Sequence, residues 1–452
     1  MVIFFLFALI LQLIFLPPEI DHRIVKVPLS LQVSNDSLSY GGDIRIANFG
    51  NQQQLGVLVY RTANYVDGGA SQPCFMAAFS PEGEIHWQFG EGGGQPNRPG
   101  PVIVVDLDGD GVEEVVALFT EQPDQVDPHS MAGMQLMVVD AKTGRLENKA
   151  APPEIISATG QGPNWVHQRF MAAKLNDANQ KTYDLIIKLG QTVVALDHNL
   201  NVLWTYFNPW DEYQNCPAYI PAIGDIDGDG KDEINGGYYL LDDDGTVLWE
   251  QKLGKNMDSV WIGPWENDSS QRAFCSGYGH IMDADGQVIL KLGAEVVPHG
   301  QELRVAHFNP EYPGQQMMIR HRGHQPDVML VGQEGQILNE FRLNDSPNHT
   351  GMEVVYLNGR DQPALLFNGG VMWKGDGHRA FTLPGLPDRP AGPFRQGWYH
   401  CIPLVDANTG SEGMVVYNPW ESRIYLYYPR GITAQSYHYQ PHHRTFNARL
   451  LD

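Results

Sequence analysis

One pattern recurs along the chain and limits what it can fold into. An apolar strand is followed by a polar loop that often holds Asp and Gly, then by a second apolar strand. A third strand follows and often runs into D-x-D/N-G-x-x-L-W. The clearest copy starts at Ala222 (AIGDIDGDGKDEINGGYYLLDDDGTVLW) and another at Pro101 (PVIVVDLDGDGVEEVVALF). Six weaker copies start at Asp43, Arg169, Ser259, Glu302, Gly351 and Cys401. Spacings of roughly 40 to 70 residues are those of propeller blades. Each unit is a small antiparallel sheet with two apolar faces, and only packing between two neighbours buries both. Ring closure also limits exposed sheet edges. No segment sustains a helical period. The expectation is therefore an all-β chain forming a single β-propeller of eight blades, or seven if a terminal copy is irregular. No linker divides it, and the tail from Tyr437 to Asp452 is expected to supply a strand or cover near the closure point.

Length alone would suggest about three domains, but the repeat overrides that count. The start, MVIFFLFALILQLIFL, is almost wholly apolar, and charge begins at Glu19. Residues 1–20 are expected to be a signal peptide or N-terminal anchor, with a buried first strand as the alternative, and residues 21–452 the propeller. This predicts a secreted, periplasmic or cell-surface protein with no stable membrane insertion after signal removal, and a monomer. The net charge of −23 argues against nucleic acid as a partner, which would require a basic surface. Cys74, Cys216, Cys275 and Cys401 lie far apart without a CxxC. That argues against a zinc site and reads as buried apolar filler, with one or two disulfides as the alternative.

Two loops match D-x-D-G-D-G-x-x-E: Asp106, Asp108, Asp110 and Glu114, then Asp225, Asp227, Asp229 and Glu233. Alternating carboxylates on a tightly curled loop suit a hard cation, and Ca2+ is the expected structural ion. It would clip the first strand of a blade to the second.

Residues just before first strands and just after second strands should crowd the opposite end of the propeller. Before first strands stand Arg98, His167 with Arg169, Asp258, His299, His349, and Tyr399 with His400. After second strands stand Arg61, Lys188, Tyr278 with His280, Arg320, His321, Arg322 and His324, then Asn418 and Trp420. This gathers His, Tyr and Arg at one mouth. There is no GxSxG and no evident paired-carboxylate arrangement there. The trio suits β-elimination from a uronic acid: Arg neutralises the carboxylate, His or Tyr removes the adjacent proton, and Tyr or His protonates the leaving oxygen.

The blocks GDIDGDGKDEINGGYYLLDDDGTVLW, VPHGQELRVAHFNPEYPGQQMMIRHRG and WYHCIPLVDANTG…VVYNPWESRIYLYY resemble the propeller polysaccharide lyases. These comprise the rhamnogalacturonan lyases and the related ulvan and rhamnose–glucuronate lyases. The resemblance implies cleavage between rhamnose and a uronic acid, an acidic rhamnose-containing polysaccharide as partner, and structural calcium. It implies His299 or His400 as base, Tyr399 as acid and Arg320 as neutraliser, with His167 and His321 in reserve. Arg169, Tyr278, His280, Arg322, His324, His349, Asn418 and Trp420 would bind substrate. His299-Gly300-Gln301 stands where rhamnogalacturonan lyases usually carry His-Gly-Asp, and their usual added β-domain is not expected here. That favours ulvan-like or gum-type chains as substrate. The rival is a non-catalytic FG-GAP-type propeller that binds glycan or protein. A quinone-bearing redox propeller lacks its tryptophan or cysteine motif. A transition metal held by His321 and His324 is a minor variant.

Overall fold

The structure, a computed structural model, describes residues 20–26, 43–49, 55–60, 73–94, 102–121, 127, 129–166, 168–266, 270–345, 351–387, 399–418, 423–432 and 439–440. They form eight antiparallel sheets, seven of four strands and one of five. Every one of the eight repeats becomes one sheet, with first strands beginning at Asp43, Val102, Arg169, Ala222, Val260, Leu303, Glu353 and His400. The eight-bladed reading holds. The three-strand unit does not: the D-x-D/N-G turn leads into a fourth strand in the fourth and fifth blades, and in the fourth blade that strand, Val247–Glu250, carries the Leu-Trp pair.

The core explains the ring. Its buried residues form eight clusters, and each cluster joins two neighbouring sheets. Ile103, Leu118 and Val138 of the second sheet, for example, pack with Phe170, Ile187 and Val194 of the third. The last cluster joins Ile44, Val57 and Phe79 of the first sheet to Val25, Ile402 and Leu426 of the eighth. Burying apolar area is worth about 25 cal/mol per Å², and here each sheet realises that gain only through both neighbours.

Closure uses both ends of the described chain. Strand Ile20–Lys26 pairs along its whole length with Arg423–Pro429 and becomes the outer strand of the eighth blade. Tyr439–Gln440 adds a short strand on the inner side, opposite Val405 and Asp406. The tail therefore supplies a strand as expected, but the outer closing strand comes from Ile20–Lys26. Residues 1–19 lie outside the described residues. Among the described residues, no helix is long and apolar enough to cross a membrane. Cys216, Cys275 and Cys401 are buried free thiols.

A second contact repeats on the outside of the ring. The fourth-strand aromatic of one blade covers the glycine in the 3–4 turn of the next: Trp87 on Gly144, Trp204 on Gly245, Trp249 on Gly286 and Phe341 on Gly377. Trp87 and Trp204 also donate their indole N–H to the carbonyls of Ala141 and Asp243 in those turns, each at 2.8 Å. The glycine is required twice over. At Gly245 φ is +83°, and a Cβ would lie 2.7 Å from the Trp204 ring.

Gly245→Ala should therefore destabilise the fold by about 1–3 kcal/mol through strain and overpacking. Thermal melts of the variant should show a clear loss in Tm. An unchanged Tm would mean that the turn and the indole are not in contact.

Candidate functional site

The two D-x-D-G-D-G loops join first to second strands in the second and fourth blades. In the second blade, oxygens of Asp106, Asp108 and Glu114 lie within 4.8 Å of one another. In the fourth, Asp225, Asp227 and Asp229 do so, as do Asp227, Glu233 and Asp242. Asp110 stands outside its group and accepts the Val112 N–H at 2.7 Å. Asp242 comes from the 3–4 turn and was not picked out by the repeat. The loops are held open by their own backbone: Leu107 N donates to Glu114 Oε2 at 2.7 Å, and Ile226 N to Glu233 Oε2 at 2.6 Å. The other oxygen of Glu233 is buried without a hydrogen-bond partner, as is Asp106 Oδ1. Unpaired buried carboxylate oxygen is costly, and a cation bound by hard oxygens would satisfy it. The donor set fits such an ion. Lys231 pairs with Asp229 at 3.5 Å and with Asp243. Next to this loop the blades are tied directly: Asp232 N donates to Lys174 O at 2.8 Å, and Lys174 N to Asp232 Oδ2 at 2.7 Å.

The mouth residues lie at the other end of the sheets, where first strands begin and second strands finish. The loop carrying His299 is stitched to both of its neighbours. Gly300 N donates to Gly277 O at 3.0 Å, Gln301 N to Arg320 O at 2.9 Å, His299 N to His321 O at 3.2 Å, and Gly323 N to His299 O at 2.8 Å. Gly300 passes so close to the Ser276 carbonyl that no side chain fits there.

Around the His299 imidazole stand groups from two neighbouring blades and from the loop that leads into the first of them. Asp258 Oδ2 is 3.8 Å from Nε2. The His324 ring lies edge-on with its centroid 6.5 Å away. Burial, then the positive charges of Lys255, His324 and Arg320, push the His299 pKa down to about 4. It is therefore neutral near pH 7. Asp258 also faces Tyr219 and Cys216, whose pKa values burial and the Asp258 charge raise. Tyr278, next to this loop, donates its hydroxyl to Gly254 O at 3.2 Å. His321 pairs with Glu340 at 3.2 Å, and Arg322 with the same carboxylate at 3.4 Å. Arg322 is exposed, as is His324.

Other expected site residues are placed differently. Arg320 is 0% exposed, and its guanidinium is held on Gln301 Oε1. It acts on His299 through its charge rather than from the surface. Tyr399, 3% exposed, sits in the apolar seam between the seventh and eighth blades, its ring edge-on to Tyr425. His400 is buried with its ring 5.4 Å from that of Tyr417, and Asn418 is buried beside them. Arg169 is buried and donates to Gln168 O at 2.8 Å. His280 is buried, and burial and then Lys291 lower its pKa to about 4. Lys188 donates its ammonium to Asn164 O at 2.9 Å and Oδ1 at 2.8 Å, and Asn164 is anchored on Asp211. Burial lowers the Lys188 pKa to about 7. Arg61, Arg98, His167, His349 and Trp420 lie outside the described residues. Lys255 was missed by sequence reasoning, because it sits in a loop between blades at no repeating position.

No family model matches the sequence, and no curated protein matches it. Solved structures do. The chain is similar to rhamnogalacturonan lyase YesW, with a TM-score of 0.65 and 19% identity over 86% of this chain and 72% of that one. It is similar to the Bacillus licheniformis rhamnogalacturonan lyase PL11, with a TM-score of 0.67 and 17% identity over 90% and 74%. It is also similar to the exotype rhamnogalacturonan lyase YesX, with a TM-score of 0.64 and 19% identity over 91% and 76%. The likeness is one of fold, and it agrees with the resemblance carried by the sequence blocks.

His280 and His299, both held near a pKa of 4, set an acid limit on stability. Unfolded, each regains an ordinary pKa near 6.5, so the unfolded chain binds more protons below that value. Stability should fall as pH drops from about 6.5 toward 4, and His280→Gln should flatten that slope. Melts across this range check it; an identical slope in the variant would remove His280 from the cause.

Proposed function

We propose that this chain is an extracellular polysaccharide lyase that cleaves rhamnose–uronic acid linkages by β-elimination. Ulvan, rhamnogalacturonan and rhamnosyl-glucuronate polymers are its candidate substrates. The observation that carries the reading is a histidine kept neutral at the mouth by burial and by nearby positive charge: His299 with Lys255 and Arg320. A neutral imidazole accepts a proton at neutral pH, and fixed positive charge draws in a uronate and acidifies the carbon beside its carboxylate.

In this reading His299 takes the C5 proton, the C4–O4 bond breaks, and a C4=C5 double bond forms. The leaving oxygen takes a proton from Tyr278, which follows the Gly277 that accepts the Gly300 N–H, whereas Tyr399 is buried in a blade seam. His299 then gives its proton to solvent and Tyr278 takes one back, which returns both groups to their starting states. Lys255 and Arg322 are the cations placed to meet the carboxylate, and Arg320 adds potential from behind. Ca2+ in the acidic loops of the second and fourth blades serves as a structural clip beside the interblade ties.

Ultraviolet absorbance during incubation with ulvan, rhamnogalacturonan I and gum arabic tests the reaction, since elimination leaves a conjugated double bond. Absorbance should rise on at least one polymer. The rate should fall by about 10²–10⁴-fold in His299→Ala and Tyr278→Phe, the range for loss of a general acid or base. No rise on any polymer, with the protein folded and calcium-loaded, would favour a glycan-binding propeller instead.

Chelation should lower the Tm by several degrees, because an ion bound only to the folded state stabilises it. Glu233→Gln should bind one calcium fewer than the parent in calorimetric titration. Equal stoichiometry would remove the fourth-blade loop from the account.

A further inference from the structure

The two nitrogens of His299 are not equivalent. Nε2 is buried with no hydrogen-bond partner, yet the side chain is 26% exposed. If this imidazole touches a substrate, Nδ1 is the nitrogen left to do so. The residue facing Nδ1 is a glycine. A Cβ on Gly323 would lie 3.1 Å from Nδ1, and the backbone there has φ +59°. Glycine both permits that turn and leaves the nitrogen uncovered. Nε2, in contrast, faces a carboxylate: Asp258 Oδ2 at 3.8 Å, from the mouth loop of the preceding blade. Asp258 is itself 5% exposed and receives Asn256 Nδ2 on Oδ1 at 3.3 Å.

We infer that Asp258 is a positioning residue that fixes His299 as the Nε2–H tautomer and so presents Nδ1 as the base. This rests on the lyase reading and deepens it. An ordered carboxylate on one imidazole nitrogen decides which nitrogen carries the proton, and it stabilises the imidazolium formed when the other nitrogen accepts one. A distance of 3.8 Å is beyond a hydrogen bond, and such contacts in free enzymes commonly tighten in the substrate complex. The dyad spans the fifth and sixth blades, so it exists only in the closed ring. The charged and titratable groups around His299 are Asp258, Lys255, His324 and Arg320, with Tyr219 and Cys216 facing Asp258 from the fourth blade. In the step itself Nδ1 gains the C5 proton while the Nε2 proton stays directed at Asp258. After release, Nδ1 gives its proton to solvent.

Two measurements test this on the full chain. The first is nitrogen NMR of the neutral His299 ring in the parent protein, which needs no variant. The proton should reside on Nε2; residence on Nδ1 would overturn the inference, whatever the protein's activity. The second is the kinetics of Asp258→Asn and Asp258→Glu. Asp258→Asn should lower kcat by about 10²–10⁴-fold with KM changed less than threefold, and its ring should become a mixture of tautomers. Asp258→Glu should recover part of the rate. Full kcat with the Nε2–H tautomer intact in Asp258→Asn would contradict the role of the carboxylate. If the parent is inactive on every polymer, the lyase reading fails, and the tautomer measurement still decides the pairing of Asp258 with His299.

Discussion

A sheet with two apolar faces and no helix to cover either has to be sandwiched by its neighbours. The rest of this structure depends on that constraint. Each core cluster belongs half to one blade and half to the next, including the cluster that joins the eighth blade to the first. A linear stack would leave two end faces exposed, whereas the ring leaves none. The outer strand at the seam comes from Ile20–Lys26, so closure couples the beginning of the described chain to its last blade. The aromatic-on-glycine contacts repeat the same logic at the rim, where four of the blades cover the turn of the next.

The chemistry proposed for the mouth is a product of this packing. No single blade holds the site. Asp258 and His299 precede strands of two adjacent sheets and Arg320 ends one, while Tyr219 and Cys216 face Asp258 from the loop that leads into a third. The cost of burying an imidazole is what keeps it neutral, and the cations beside it reinforce that state. At the opposite end, buried carboxylates are gathered with the opposite requirement: they call for a cation. The two ends thus carry complementary electrostatics, a cation-rich mouth and cation-seeking loops, despite a net charge of −23 that describes neither.

The blades were legible because their inner strands repeat as apolar runs, and all eight copies could be counted. The fourth strands were not, because they are only partly buried. Val247–Glu250 hides one side chain, Trp249, while Val247 and Leu248 face solvent. Strand Ile20–Lys26 carries Asp21, His22 and Arg23 in a row and has no repeat context, so its role as the closing strand had no local signal. Position relative to the strands put His299, His321 and Arg322 at the end of the sheets where the structure has them, with His321 buried. It failed to predict depth. Tyr399 and Arg320 occupy mouth positions in sequence but turn into the seams, because a blade interface accepts any large side chain whose polar atoms find partners. Asp258 was placed at the mouth, but its facing of His299 depends on the angle between two blades, which no linear pattern encodes. Asp242 joined the acidic loop because the 3–4 turn of the fourth blade lies beside its own 1–2 loop, a closeness that spacing along the chain does not encode.

The account rests on elimination rather than hydrolysis or simple binding. Mass spectrometry of the material released from ulvan, rhamnogalacturonan I and gum arabic separates these outcomes, because an eliminated fragment is lighter by one water than its hydrolysed counterpart. The account predicts fragments ending in an unsaturated uronate, one water lighter, from at least one polymer. Fragments of hydrolytic mass, or polymer that binds and is recovered intact, would contradict it.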